Sequence, residues 1–501
     1  MTRLLRFLAL FAVLGPGLGL QAAQGPEALA ARAAEGSAAM QASRFGDAAT
    51  IYAELVAARP GDAGLLMNLG MARYMAGHPA DALAPLQKAV RLNPALAPAS
   101  LFLGASLLDL GRPKEAVPPL QKAVTAMPDN ADAREMLARC QLMLSRFSAA
   151  AASYRALTGL QPENPKGWYG IAKSYEGVTE ELLAVLQQQA PDSPLLELLV
   201  ADVAVTQDKF AAALAIYRRV LANPPVGGLH EAVADLYESA GKAEWAIVER
   251  RKSKARTTAY CAARPGECEF LNGRFREAIA AGTRAATPAG RYWAIRGANR
   301  LATEAVTHLE TLPPSIELHL IKAEIAQSRG QYPDAVREVR DALSLAPGNP
   351  VIETALAEAL LRAHNLEEAL PMLERLTRSS PDDPALLMMY GDGLVEHQEL
   401  DRAIPVLEAA VKADGASLPA QASLGRAYVQ AGRYADAVPH LEAAAANDEN
   451  GDVHLQLARA YQALQRADAA RNAMTEYQKR HQQEAAEPPS DRKEESLTPP
   501  E

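Results

Sequence analysis

The sequence predicts an all-α protein, a superhelical solenoid of stacked antiparallel helix pairs, and three observations carry that expectation. Prolines recur at Pro60, Pro94, Pro128 and Pro162, each 34 residues after the last. Hydrophobic residues make up 49% of the 501-residue chain but aromatics only 5%, so the apolar content is mostly alanine and leucine. That mix favours helix and starves a sheet of the β-branched and aromatic residues it draws on. Within each interval the same small and large residues also return at fixed offsets. Length alone suggests about three domains of ~150 residues each, whereas a period this regular builds one array. Charged residues at 22% and a formal net charge of −9 describe an ordered, soluble chain and argue against nucleic acid as a partner.

The first element, residues 1–22, reads as an address rather than structure. Arg3 and Arg6 lead an apolar run from Phe7 to Leu14, which Gly15, Pro16, Gly17 and Gly19 interrupt before the small residues Ala22 and Ala23. This is the layout of a secretory signal peptide, with cleavage expected after Ala22 or Ala23 and a periplasmic or secreted mature protein of net charge about −11. The alternative is an uncleaved N-terminal tether, although a span needs ~20 apolar residues. No later segment reaches that length.

Four units fill 29–164. Leu69-Gly70 steps to Leu103-Gly104 and then to Leu137-Ala138; Gly77 and Gly111 give way to Ser145; Ala82, Ala116 and Ala150 precede the large residues Leu86, Leu120 and Tyr154. Leu66, Leu69, Gly70 and Tyr74 share one helical face, and Leu83, Leu86 and Ala89-Val90 form the matching face of a second helix. Prolines inside the second helices (Pro85, Pro118, Pro119, Pro371, Pro405, Pro439) are expected early in the helix, where a missing donor costs less. The phase returns in 316–484, with Pro347 and Pro381, with Ala335, Ala369, Ala403 and Ala437, and with Gly330-x-Tyr332 and Gly432-x-Tyr434. Five units are read there.

These offsets resemble the tetratricopeptide repeat family, whose 34-residue signature runs Trp, Leu-Gly, Tyr, Gly-x-Tyr, Ala, an aromatic or leucine, Ala and Pro. Together with the signal layout, the resemblance points to an exported bacterial member. Between the two runs, 165–315 is read as irregular repeats. Residues 165–193 keep Trp168 and Tyr175 but lack the Gly-x-Tyr turn, and 289–315 looks like a second copy of that shortened unit, with Thr303-Glu304 answering Thr179-Glu180. The section is read either as a continuous stretch of changed curvature or as a flexible joint. Residues 485–501, charged and proline-rich, are read as a disordered tail.

Catalytic patterns are missing from the sequence: the nine histidines are scattered and form no HExxH, and there is no phosphate loop, nucleophile elbow or dinucleotide fingerprint in the mature chain. No enzymatic role, cofactor or metal is expected. Cys261 and Cys268 flank a Pro265-Gly266 turn, and a local disulfide is set against two reduced, buried thiols; Cys140 reads as a core residue.

The resemblance implies a non-catalytic scaffold that binds a protein or peptide in a concave groove lined by the first helix of each unit. On that numbering Met67, Met71 and Met75 form a stripe beside Tyr74, Leu101 and Leu108. Methionine adapts to apolar peptide side chains, though packing between units explains the same spacing. The ninth positions show a sign pattern, with Arg139 and Lys173 basic, Asp202, Asp235, Glu324, Glu358 and Asp392 acidic, and Arg426 and Arg459 basic again. Either this is an acidic zone flanked by basic ones that selects a partner by charge, or it is a balanced solvated face. Family members that clamp chaperone C-termini carry basic residues that are lacking around Asn68. A role in assembling a cell-envelope export, pilus or exopolysaccharide system would leave the same trace.

Overall fold

Two local rules written into the repeat set the helix boundaries. Most first helices open on a side-chain cap: the Asp62 carboxylate accepts from the Gly64 and Leu65 amides at 2.9 and 3.1 Å, and Asn130, Asn164, Asp383 and Ser417 cap later ones. Second helices have no such cap. They follow a turn whose residue takes a positive φ, and the turn closes the preceding helix. At Gly77 (φ 83°) the His78 amide reaches back to the Arg73 carbonyl at 3.0 Å, as in a Schellman motif. Glycine is the unstrained choice there, yet Ser43, Ser145, Asp208, His364, Gln398 and Gln465 take the same conformation in other units.

The structure, a computed structural model, describes residues 26–253, 257–448, 450–485 and 497–500. The expected signal peptide lies outside the described residues. These contain helices and no strand, in two compact units divided after Leu160.

The first unit stacks four helix pairs: α1 (Pro26–Gln41) with α2 (Phe45–Ala58), α3 (Ala63–Met75) with α4 (Pro79–Leu92), α5 (Ala97–Asp109) with α6 (Pro113–Ala126), and α7 (Ala131–Met143) with α8 (Phe147–Leu160). Leu86 of α4 is fully buried against Gly70 of α3, where an added Cβ would stand 2.3 Å from its Cγ; Leu120 and Gly104 repeat the fit one unit on. First helices also pack on first helices, α3 on α5 and α5 on α7, which makes them the inner row of the stack. Pro85 lies at the seventh residue of α4, beyond the first turn where it was expected to be cheap. The Asp81 carbonyl that it leaves without a helical donor accepts instead from Arg73 Nη1 of α3 at 2.9 Å.

The second unit begins with α9 (Pro165–Gln189), a single helix of 25 residues. With no residue of positive φ where other units turn, the helix continues. The pairs α10 (Pro194–Thr206) with α11 (Phe210–Leu221) and α12 (Leu229–Ser239) with α13 (Ala243–Arg250) follow, then the short α14 (Thr258–Ala263) and α15 (Pro265–Leu271), α16 (Phe275–Ala285) and the 23-residue α17 (Pro288–Glu310). The two shortened units are therefore each one long helix, and they pack on each other. The Trp168 ring lies 3.9 Å from the His308 ring, Thr179 bonds Asn299 at 2.6 Å, and Arg291 bonds Gln189 at 2.6 Å. One number falls as the other rises, so α9 and α17 run antiparallel. Residues 190–287 leave this hairpin and return to it, and α18 (Ile316–Ser328) then packs on both of its helices. A single linear order of repeats through 165–315 is thus corrected: the section is a long hairpin closed around an insertion.

From α18 the pairs are regular again: α19 (Tyr332–Leu345), α20 (Pro350–Arg362), α21 (Leu366–Ser379), α22 (Pro384–Glu396), α23 (Leu400–Ala413), α24 (Leu418–Gln430), α25 (Tyr434–Ala444), α26 (Asp452–Ala463) and α27 (Ala467–Ala485), with one apolar core from Ala323 to Ala473. Cys261 and Cys268 are joined by a disulfide with a Cα–Cα distance of 5.5 Å, linking α14 to α15, while Cys140 is a buried free thiol. Residues 497–500, read as part of a disordered tail, are seated against the cluster formed by α10 to α17.

Candidate functional site

In the first unit the inner row brings α3, α5 and α7 to one face. Met67 and Met71 are half-buried, and Met75, at the end of α3, is 44% exposed. Tyr74 stands among them, edge-on to Phe102 at 5.7 Å. Burial, then a hydrogen bond to Asp109, pushes its phenol up to about 12, while the nearby Arg139 charge pulls the other way. Tyr74 of α3 thus registers groups from the next two first helices, α5 and α7, and Arg139 itself is exposed. Leu101 is half-buried, but Leu108 is a core residue at 4% exposure and offers a partner no surface. The stripe is partly packing, since Met67, Tyr74 and Leu101 border the apolar core. Its accessible part runs from Met71 to Met75.

The ninth positions do not form an open field of one sign. Lys173 of α9 reaches Glu324 of α18 at 3.1 Å and Glu176 at 2.6 Å. Burial opposes the Lys173 charge, but these two carboxylates hold its pKa above the usual lysine value. Burial also raises the Glu324 carboxyl, with Lys173 acting against it. Asp392 of α22 and Arg426 of α24, one period apart, meet at 2.5 Å. Asp235 pairs with Arg250 at 3.0 Å and Glu358 with Arg362 at 3.0 Å. Arg139 and Arg459 are exposed, as is Glu324. Equal offsets in packed units bring Lys173 to Glu324 and Asp392 to Arg426, whereas Asp235 and Glu358 find cations within their own units. Seven of the nine charged candidates thus make ion pairs within the chain, most of them at side chains that stay partly open to solvent.

Asp202 is the most enclosed member. It receives the Tyr217 hydroxyl hydrogen and lies 3.1 Å from Arg296 of α17. The guanidinium sits over Phe270, Trp293 and Tyr292, with ring centroids 4.9, 5.3 and 5.7 Å away. Burial raises the Asp202 pKa and Arg296 opposes that rise. Sequence reading missed Arg296, because nothing near it in the chain marks its partner. The part-buried His319 and Glu338 and the exposed Asp341 bring donor atoms within 4.8 Å of one another, with His319 already bonded to Glu338 at 2.8 Å. No helix among the described residues is long and apolar enough to cross a membrane.

Three family models match the sequence. One described as the auxiliary subunit of N-terminal acetyltransferase A matches residues 97–389. Two described as tetratricopeptide repeat match 33–97 and, for the other, 394–444 and 428–487. No curated protein matches. Among solved structures, a crystal structure of MamA protein is 24% identical over 30% of this chain and 81% of that one, with a TM-score of 0.29. YrrB, titled a TPR protein with an unusual peptide-binding site, is 20% identical over 28% and 73%, with a TM-score of 0.27.

Proposed function

From a chain that belongs to the family of N-terminal acetyltransferase A auxiliary subunits and carries tetratricopeptide repeats at both ends, we propose a non-catalytic scaffold that holds a protein or peptide partner along the inner row of first helices. The observation that carries this reading is the convergence at Tyr74. Phe102 and Asp109 of α5 meet it, and the charge of Arg139 on α7 is felt there, beside the accessible Met71 and Met75. Apolar, adaptable side chains next to an exposed guanidinium suit a peptide with apolar residues and a carboxylate. The auxiliary role named for the matched family supports a protein that serves a catalytic partner rather than acting alone. The carboxylates of the inner row are committed to cations, which leaves them poor candidates for acid–base work. The signal layout of residues 1–22 supports a site of work in the periplasm or outside the cell, where an accessory part in envelope assembly fits equally well.

Replacing Met67, Met71 and Met75 together by serine tests the site. Fully burying an exposed methionine is worth about 1.5–3 kcal/mol, of which the half-buried Met67 and Met71 have only part left to gain; crosslinked partner recovered from the native envelope fraction should still fall about tenfold or more. Far-ultraviolet circular dichroism should stay unchanged. Undiminished capture by a folded triple variant would falsify the assignment of this face.

A further inference from the structure

The chain's own C-terminal residues are bound like a ligand. Leu497 lies among the partly buried apolar residues around the α10–α17 cluster, as Trp245 does. The Arg218 guanidinium of α11 donates through Nη1 to Thr498 Oγ1 at 2.5 Å and through Nη2 to the Pro499 carbonyl at 2.8 Å. The Tyr237 hydroxyl of α12 donates to the Thr498 carbonyl at 2.9 Å. Neighbouring Arg219 is spent on Glu197 at 2.5 Å, whereas the hydrogen bonds of Arg218 among the described residues go to the tail. Two consecutive main-chain carbonyls are read by side chains, one apolar residue is anchored, and two prolines follow. Proline brings no N–H to satisfy and little conformational entropy to lose, the economy used by proline-rich recognition segments.

We propose that the face of α11 and α12 is a peptide-binding site for extended Leu-Thr-Pro-Pro segments, and that its resident occupant is residues 497–500 of the same chain. The inference rests on the scaffold reading and adds a second site with a built-in competitor. A partner segment of this chemistry enters only after the tail leaves. A tethered ligand commonly acts at an effective concentration of about 1 mM, so a tail that binds with a Kd near 100 μM in trans masks its site about tenfold.

The probe is a fluorescein-labelled peptide of residues 491–501, titrated by anisotropy against the full-length chain and full-length variants. Leu497→Asp in the chain removes the apolar anchor of the tail and should tighten probe binding about tenfold over the unsubstituted chain. Adding Arg218→Ala should abolish that gain. Tyr237→Phe, which keeps the ring and loses one hydrogen bond, should weaken it about threefold to tenfold. Equal binding to the unsubstituted and Leu497→Asp chains overturns the proposal, as does no binding to either. An unsubstituted chain that sediments as a dimer and is dissociated by Leu497→Asp overturns the intramolecular form and makes a second copy the occupant. If the probe fails while partner capture still depends on the methionines of α3, this inference falls and the scaffold reading stands.

Discussion

Gly282 sits where α16 packs on α17, and a Cβ added there would stand 2.1 Å from the Gly290 carbonyl oxygen. Main chain cannot turn aside as a side-chain tip can. Gly282→Ala should therefore destabilise the second unit by about 1–3 kcal/mol, despite a helix-propensity gain of about 1 kcal/mol. Gly159 of α8 has nothing within 4 Å of the same added atom. There Gly→Ala should stabilise by about 0.4–1 kcal/mol. Urea unfolding of the two variants should give opposite signs, and a neutral or stabilising Gly282→Ala would contradict the close approach. Gly70 and Gly104 were legible in the sequence because they recur with the repeat and face the equally periodic Leu86 and Leu120. Gly282 and Arg296 were not, since their partners lie on elements that the period does not relate.

At the scale of elements, one turn residue decides between two helices and one. The positive φ at Gly77, Gly111 or Ser145 ends a first helix and starts a second; in α9 and α17 no such residue interrupts the helix, and the long hairpin results. Missing turn chemistry was visible in the sequence, as was the likeness of the two segments. Their antiparallel pairing was not, because Trp168 with His308 and Gln189 with Arg291 are contacts across an entire insertion. Native-state hydrogen exchange should show α9 and α17 protected to the same free energy and lost together, as halves of one cooperative unit. Exchange of α17 with α16 while α9 remained protected would count against the hairpin. The sign pattern of the ninth positions was equally readable, but its meaning changed once Lys173 met Glu324 and Asp392 met Arg426.

For the whole molecule, export is the expectation still to be tested. N-terminal sequencing of the protein from the periplasm or medium should begin at Ala23 or Gln24, and material beginning at Met1 or Thr2 would leave the segment as a tether or no signal at all. By itself the sequence determined the fold class, the presence of the 34-residue repeat and the residues that build each regular pair. A solenoid is held by contacts between near neighbours, so a local period carries that information. Only the tertiary structure decided that residues 190–287 are inserted into a hairpin, that most of the charged row is paired within the chain, and that Leu497 to Pro500 occupy the face of α11 and α12. Each of these joins segments far apart in the chain with no common period, and their complementarity exists only once the helices are packed.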